Sequence, residues 1–156
     1  MSIRSTAKAL IVRDGKLLLN RCEDETGMYY AMPGGGQHQY ETLFEAVVRE
    51  CREETGYEVR PLRLAALCEG ICTDEEFRKN EPDYAHKVYH IFLCELAGEK
   101  QGLPTEPDSV QTGSEWVDIR ELGKIRLLPK IVGEWITDIL NDTAPMFLGS
   151  EYHFYG

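Results

Sequence analysis

Several absences narrow the field before any motif is read. No apolar run approaches the ~20 residues that span a bilayer. The opening stretch MSIRSTAKALIVRDGK has no core of about 7–15 apolar residues ahead of a small-residue cleavage site. The expectation is therefore a cytoplasmic protein with no membrane partner. Basic residues are scarce: 17 Lys and Arg stand against 27 Asp and Glu, a net charge of −10. Polymeric nucleic acid is bound by clustered cations that displace counterions, so that partner is disfavoured. A small phosphorylated ligand stays compatible, because a bound cation inverts the local sign. Cysteine is sparse and odd in number, with Cys22, Cys51, Cys68, Cys72 and Cys94 scattered along the chain. That suits reduced thiols better than a disulfide framework. Cys68-x3-Cys72 resembles half a zinc site, yet no second pair and no His-x3–5-His follows at usable spacing. No repeat, low-complexity tract or long linker divides the chain, and residues 1–156 read as one domain.

What is present is an ordinary globular composition, 42% hydrophobic and 28% charged. Two apolar runs around Asp14-Gly15 predict a hairpin. Met28–Met32 leads into Pro33 and three glycines. Helical spacing over residues 42–55 ends at Gly56, in the place of a C-terminal cap. Strand formers recur in Tyr57–Glu69, Lys87–Leu96 and Ser114–Ile119, separated by expected loops at 73–86 and roughly 97–113. A second helix is predicted over about 129–141, with Ile131, Trp135, Ile136 and Leu140 on one face. Strands before, between and after two helices give a mixed α/β domain.

The first helix poses the chemical question. On a wheel of 100° per residue, Phe44, Val47, Val48, Cys51 and Thr55 gather as a packing face. Glu50, Glu53 and Glu54 gather on another side, with Leu43 and Ala46 below them and Arg49 at the border. Side chains at these offsets start about 5–6 Å apart. At an effective dielectric near 20, two full charges at that distance repel by roughly 3 kcal/mol. An open, solvated face lowers this to a few tenths per pair, so a plain exposed acidic edge is the bland reading. Two features argue for more. Gly34-Gly35-Gly36 lies just upstream, where missing side chains let backbone groups approach a ligand. Two or three carboxylates with room for water and phosphate oxygens are what Mg²⁺ or Mn²⁺ prefers.

Gly35-x5-Glu41-x7-Arg49-Glu50-Cys51-x-Glu53-Glu54-x-Gly56-Tyr57 resembles the signature box of the Nudix hydrolases (MutT-like), G-x5-E-x7-R-E-U-x-E-E-x-G-U, with U bulky and apolar. All seven fixed letters are present. At roughly 6–7% per letter, an accidental match in this chain is on the order of one in a million. Cys51 replaces the usual Ile, Leu or Val, and behaves as a small hydrophobe on the packing face. The resemblance implies an α/β/α sandwich with a mixed, mainly antiparallel-edged sheet. It also implies Mg²⁺-dependent hydrolysis, with Mn²⁺ a substitute, of a nucleoside diphosphate linked to another group. Carried over by position, Glu53 and Glu54 are expected as principal metal ligands, and Glu50 as a further ligand or the base that prepares water. Arg49 is expected to hold a helix glutamate by an ion pair. The Gly34 or Gly35 carbonyl completes the metal shell, Glu41 is a supporting acid near the helix start, and Gly56 ends the helix. A competing reading is a catalytically silent Nudix-fold module that binds a nucleotide for regulation; such a module is expected to lack a box acid, and none is missing.

Outside the box, His38, His86 and His90 are each more simply packed or exposed than functional. Glu106, Asp108 and Glu115 are candidates for a late-loop acid. Tyr29, Tyr30, Tyr84 and Tyr89 are open between base stacking and packing. The closing Tyr152-His-Phe-Tyr155 suggests docking onto the domain or a second subunit, compatible with a homodimer. For the small-molecule nucleotide substrate, the proline that ADP-ribose-specific members carry about fifteen residues past the box is replaced by the Cys72-Thr73 zone. The L-L-T-x-R-S pattern of the coenzyme A branch is replaced by Leu18-Leu-Asn-Arg-Cys22. By subtraction, nucleoside triphosphates, including oxidised ones, or sugar and dinucleotide derivatives remain.

Overall fold

In the computed structural model, which describes residues 2–98, 102–107 and 109–153, the predicted hairpin organises the sheet. Asp14 and Gly15 both take positive φ, 50° and 73°, the geometry of a two-residue turn whose twist matches its flanking strands. They join β1 (Arg4–Arg13) to β2 (Lys16–Asp24). The two strands pair only beside the turn, Val12 with Leu17 and Arg13 with Lys16. Beyond it they part. The first half of β1 lies between β4 (Gly34–Gly36), antiparallel, and β6 (His86–Leu96), parallel. β2 continues instead with β3 (Gly27–Ala31) and β7 (Gln111–Asp118). The curled, nine-stranded sheet closes with β5 (Val59–Cys72) on β6, β8 (Leu127–Leu128) on β3, and β9 (Phe147–His153) on β5.

Side chains alternate across this sheet, and both of its faces are covered. Ala7, Ala9 and Ile11 of β1, Leu18 of β2, and Phe92 and Cys94 of β6 meet helix α1 (Leu43–Thr55) at Ala46, Val47 and Cys51. Their neighbours Leu10, Leu17, Leu19 and Ile91 meet helix α3 (Lys130–Leu140) at Val132, Ile136 and Ile139. This is the expected mixed α/β/α sandwich. Its singly paired strands divide evenly: β4 and β7 are antiparallel to their neighbours, whereas β8 and β9 are parallel. Among the described residues no helix is long and apolar enough to cross a membrane.

Three local expectations need correction. The 73–86 segment is not a plain loop: it holds α2 (Glu75–Asn80) and a 3₁₀ turn at Pro82–Tyr84. The Asp74 carboxylate starts α2 by accepting from the Glu76 and Phe77 N–H groups, an N-cap that polar composition concealed. Leu62, an apolar residue of the predicted Tyr57–Glu69 strand, is half exposed rather than packed, because it falls where β5 shifts register between Pro61 and Arg63. β8 and β9 were not foreseen, being respectively two residues long and glycine-interrupted. Through β9 the chain end docks on its own domain, with Leu67 and Thr73 N–H groups donating to the Met146 and His153 carbonyls; Phe154 and Tyr155 lie outside the described residues.

Helix α1 is bounded as its sequence demands. Thr42 and Glu45 form a reciprocal capping box, Glu45 N–H to Thr42 Oγ1 at 3.1 Å and Thr42 N–H to Glu45 Oε1 at 3.0 Å. Gly56 ends it at φ 77°, its N–H donating to the Arg52 carbonyl. A side chain at 56 meets both this left-handed backbone and the Gly102 carbonyl, 2.1 Å from an ideal Cβ. Gly56→Ala is therefore expected to cost more than about 1 kcal/mol in urea unfolding; an unchanged midpoint refutes the account.

Candidate active site

The end of α1 collects acids that water alone would keep apart. Arg49 binds them together. Its Nε and Nη2 donate to the two oxygens of Glu41 at 2.7 and 3.0 Å. Its Nη1 donates to Glu50 Oε1 at 2.9 Å and Glu53 Oε2 at 3.2 Å, and Nη2 also reaches the Gly36 carbonyl at 2.9 Å. Glu50 and Glu53 retain only 15% and 23% of their side-chain exposure. Glu50 also lies against the loop: an ideal Cβ at Gly35 falls 2.7 Å from its carboxyl carbon, so a side chain there would push the carboxylate out of its place.

Glu54 departs from the expected separation of a packing face from an acid face. It is 6% exposed, inside the sandwich with Ala46, Val47, Cys51 and Thr55. Gly34 N–H and Asn20 Nδ2 both donate to its Oε1, at 3.0 and 2.9 Å. Asn20 is itself held, Ser114 Oγ donating to its Oδ1 at 3.1 Å and Gln111 Nε2 at 3.3 Å. Burial pushes the Glu54 carboxyl up, to about 7. The Lys8 ammonium and the two donors pull it down, while Glu50 pushes it further up. Arg49 has the opposite effect on Glu41, holding that carboxyl at about 2.

Among the described residues, Glu50 Oε2, Glu53 Oε1 and Glu54 Oε2 receive no hydrogen bond from the protein. Three hard oxygens are thus left free on side chains that are otherwise anchored. No group of three or more His, Cys, Asp and Glu side chains among the described residues is placed to hold a metal ion by itself. Mg²⁺ rarely needs such a group, since it keeps waters and shares carboxylates with substrate phosphates.

The other singled-out residues have different employment. His38 donates its N–H to Glu41 Oε1, His86 Nε2 pairs with Glu69, and His90 Nδ1 lies 2.9 Å from the Thr6 carbonyl oxygen. Glu115 accepts from Arg21 and from the Tyr30 hydroxyl. Tyr89 is in the core, whereas the exposed Tyr84 carries Arg4 over its ring at 4.6 Å and Tyr29 carries Arg126 at 5.6 Å. The Glu106 side chain is exposed, but the Thr105 and Glu106 N–H groups cap the Glu53 carbonyl; Asp108 lies outside the described residues. All five cysteines are buried thiols, none of them in a disulfide among the described residues. The sequence reading passed over Lys8, Asn20, Gln111 and Ser114. The first two carried a usable signal, Lys8 standing between buried alanines and Asn20 directly after a run of three leucines, where a buried polar group needs a partner.

The NUDIX domain profile matches residues 3–139. The chain belongs to the NUDIX domain family. A curated nudix hydrolase of Caenorhabditis elegans is 29% identical over 126 residues, covering 78% of this chain but 30% of that protein, so the chain spans less than a third of that relative's length. A NUDIX hydrolase from Nitrosomonas europaea superposes with a TM-score of 0.72 at 21% identity, over 91% of each chain. An ADP-ribose pyrophosphatase from Streptococcus suis does so with a TM-score of 0.63 at 22% identity, over 97% of this chain and 100% of its own. At these identities the likeness is one of fold. In Nudix terms, the box residues Glu41, Arg49, Glu50 and Glu53 form one hydrogen-bonded cluster. Glu54 stands on its inner side, tied to β2 and β4.

The depressed Glu41 carboxyl sets a pH signature. Its folded value, about 2, lies below the ordinary 4.5, so its contribution is complete above 4.5 and fades as pH falls toward 2. Urea unfolding of Glu41→Gln is expected to lose stability less steeply than wild type across that window and to be weaker at neutral pH. Parallel pH curves sink the assignment.

Proposed function

We propose that the protein is a Mg²⁺-dependent Nudix pyrophosphohydrolase that cleaves the phosphoanhydride of a nucleoside diphosphate linked to another moiety. The observation that carries this reading is the set of three carboxylates, each anchored through one oxygen and free at the other, at one end of α1. A fully solvated acidic edge has no need of such anchoring. Hard carboxylate oxygens beside a glycine turn fit Mg²⁺, with Mn²⁺ a substitute.

Glu53 and Glu54 would hold the ion, joined by a carbonyl of Gly34 or Gly35, and Glu50 would be a further ligand or take the proton from the attacking water. Arg49 acts through others: it keeps Glu50 and Glu53 from splaying and ties them to Glu41. A divalent ion held there would supply charge neutralisation for the diphosphate and a more acidic bound water as the source of the nucleophile. With a net charge of −10, the protein admits such a substrate by way of this ion. Buried thiols outside any disulfide suit the reducing cytoplasm.

EDTA is expected to abolish hydrolysis and added Mg²⁺ to restore it. Glu53→Gln is expected to cut kcat by about two orders of magnitude or more while its thermal melt stays within a few degrees of wild type. Normal turnover in Glu53→Gln refutes the reading. Phosphate or pyrophosphate release across nucleoside triphosphates, oxidised nucleotides, nucleotide sugars and dinucleotides identifies the substrate.

A further inference from the structure

Lys8 is out of place in its strand. Its neighbours Ala7, Ala9, Leu10 and Ile11 are completely buried and apolar, and an ammonium beside them requires a close oxygen. It has one: Nζ donates to the Gly34 carbonyl at 3.0 Å. The same glycine donates its N–H to Glu54 Oε1 at 3.0 Å. Lys8, the Gly34 peptide groups and the Glu54 carboxylate are therefore one continuous unit, running from β1 through β4 to the inner face of α1. The contact is close enough that the stem of Lys8 fills the space where a side chain at 34 would sit, with Cδ 2.9 Å from an ideal Cβ.

A carbonyl and a carboxylate side by side are the oxygens that a divalent cation takes at this end of α1 under the function proposed above. An ammonium seeks the same oxygens, and two cations do not share them without mutual repulsion. We infer that Lys8 is a tethered counter-ion of the metal site: in the metal-free protein its ammonium holds the Gly34 carbonyl and offsets Glu54, and a divalent ion binds by displacing it. The inference rests on the reading of Glu53 and Glu54 as metal ligands. It gives the chain a fold that survives without metal, since the buried acid is never left without a cation. It also gives a metal affinity weaker than the carboxylates alone would provide, because each binding event must expel an ammonium already in place. Arg49 is not such a competitor: its donors are distributed over Glu41, Glu50, Glu53 and Gly36, and it leaves the outward oxygens open.

The test is Mn²⁺ alone, without nucleotide, titrated into the full-length protein and followed by loss of the free-ion electron paramagnetic resonance signal. Lys8→Met keeps the stem and removes the charge; Lys8→Gln keeps a donor for the carbonyl and also removes the charge. Both are expected to bind Mn²⁺ more tightly than wild type by about tenfold or more, the size of one charge-assisted hydrogen bond. Both are also expected to melt below wild type in EDTA, with the gap narrowing at saturating Mn²⁺. Unchanged or weaker Mn²⁺ binding in either folded variant overturns the inference, and makes Lys8 a prop for the Gly34 carbonyl. Wild-type binding with no difference between the proteins strikes this inference alone, whereas failure of all three to bind Mn²⁺ strikes the proposed function with it.

Discussion

The acidic end of the first helix exists in an ordered form because one guanidinium sits in its midst. Arg49 touches Glu41, Glu50, Glu53 and the Gly36 carbonyl at once. A lysine could not replace it, since a point charge on a flexible stem has neither the fork that grips Glu41 through two nitrogens nor enough fixed directions for the rest. The cluster is mostly shielded from water, so these contacts exceed the open-surface pair, whose contribution is often close to nothing. Hydrogen bonds to charged groups contribute about 1.5–3 kcal/mol each. Several sharing one donor group outweigh the repulsion between neighbouring acids. Removing Arg49 would leave Glu41, Glu50 and Glu53 as mutually repelling anions with every reason to separate.

The second determinant is the parting of β1 from β2. Their ladder ends beside the turn, and β4 takes the place beside β1 that β2 vacates. From this split come three inputs to one carboxylate: Asn20 from β2, the Gly34 N–H from β4, and the charge of Lys8 from β1. β7 adds Gln111 and Ser114, which fix Asn20 by donating to its carbonyl oxygen and so turn its amide nitrogen toward Glu54. A buried acid in an unsatisfied setting would be a liability. Here every buried side-chain polar atom among the described residues has a partner. The sheet's irregularity is thus what makes an interior glutamate tolerable.

Much of this was legible in the chain, and the exceptions share a cause. Asp14-Gly15, the 42–55 periodicity and Gly56 are local signals, each with a backbone geometry that few other residues satisfy, and each marks the element it predicted. The box spacing likewise brought Glu41, Arg49, Glu50 and Glu53 together. What failed were inferences that needed the third dimension. A helical wheel assigned Ala46 and Glu54 to the acid side, yet the curl of the sheet brings β2 and β4 around α1 and buries both. Phe44, assigned to the packing face, is half exposed, with one edge against Phe92 at 5.3 Å. Short or interrupted strands such as β8 and β9 have too few alternating residues to register as a pattern. Asp74, by contrast, was an overlooked local signal: a capping aspartate followed by Glu75-Glu76 and then Arg78-Lys79, the charge order that suits a helix dipole.

The charge balance of the site gives these parts a common logic. Four carboxylates, Glu41, Glu50, Glu53 and Glu54, face two permanent cations, Arg49 and Lys8. When all four acids are ionised, two negative charges remain uncompensated. The two cations occupy different sides of the cluster. Arg49 serves the helix surface and the loop before it, while Lys8 serves the buried side through Gly34. Under the proposed function, an ion entering between them would meet oxygens already positioned, with the Lys8 stem the one cationic side chain that has to move. Under the proposed function, that asymmetry would separate holding the acids in place, the task of Arg49, from neutralising them reversibly, the task of Lys8. A rigid fork suits the first task and a flexible ammonium suits the second, and the chain places each where its own chemistry requires.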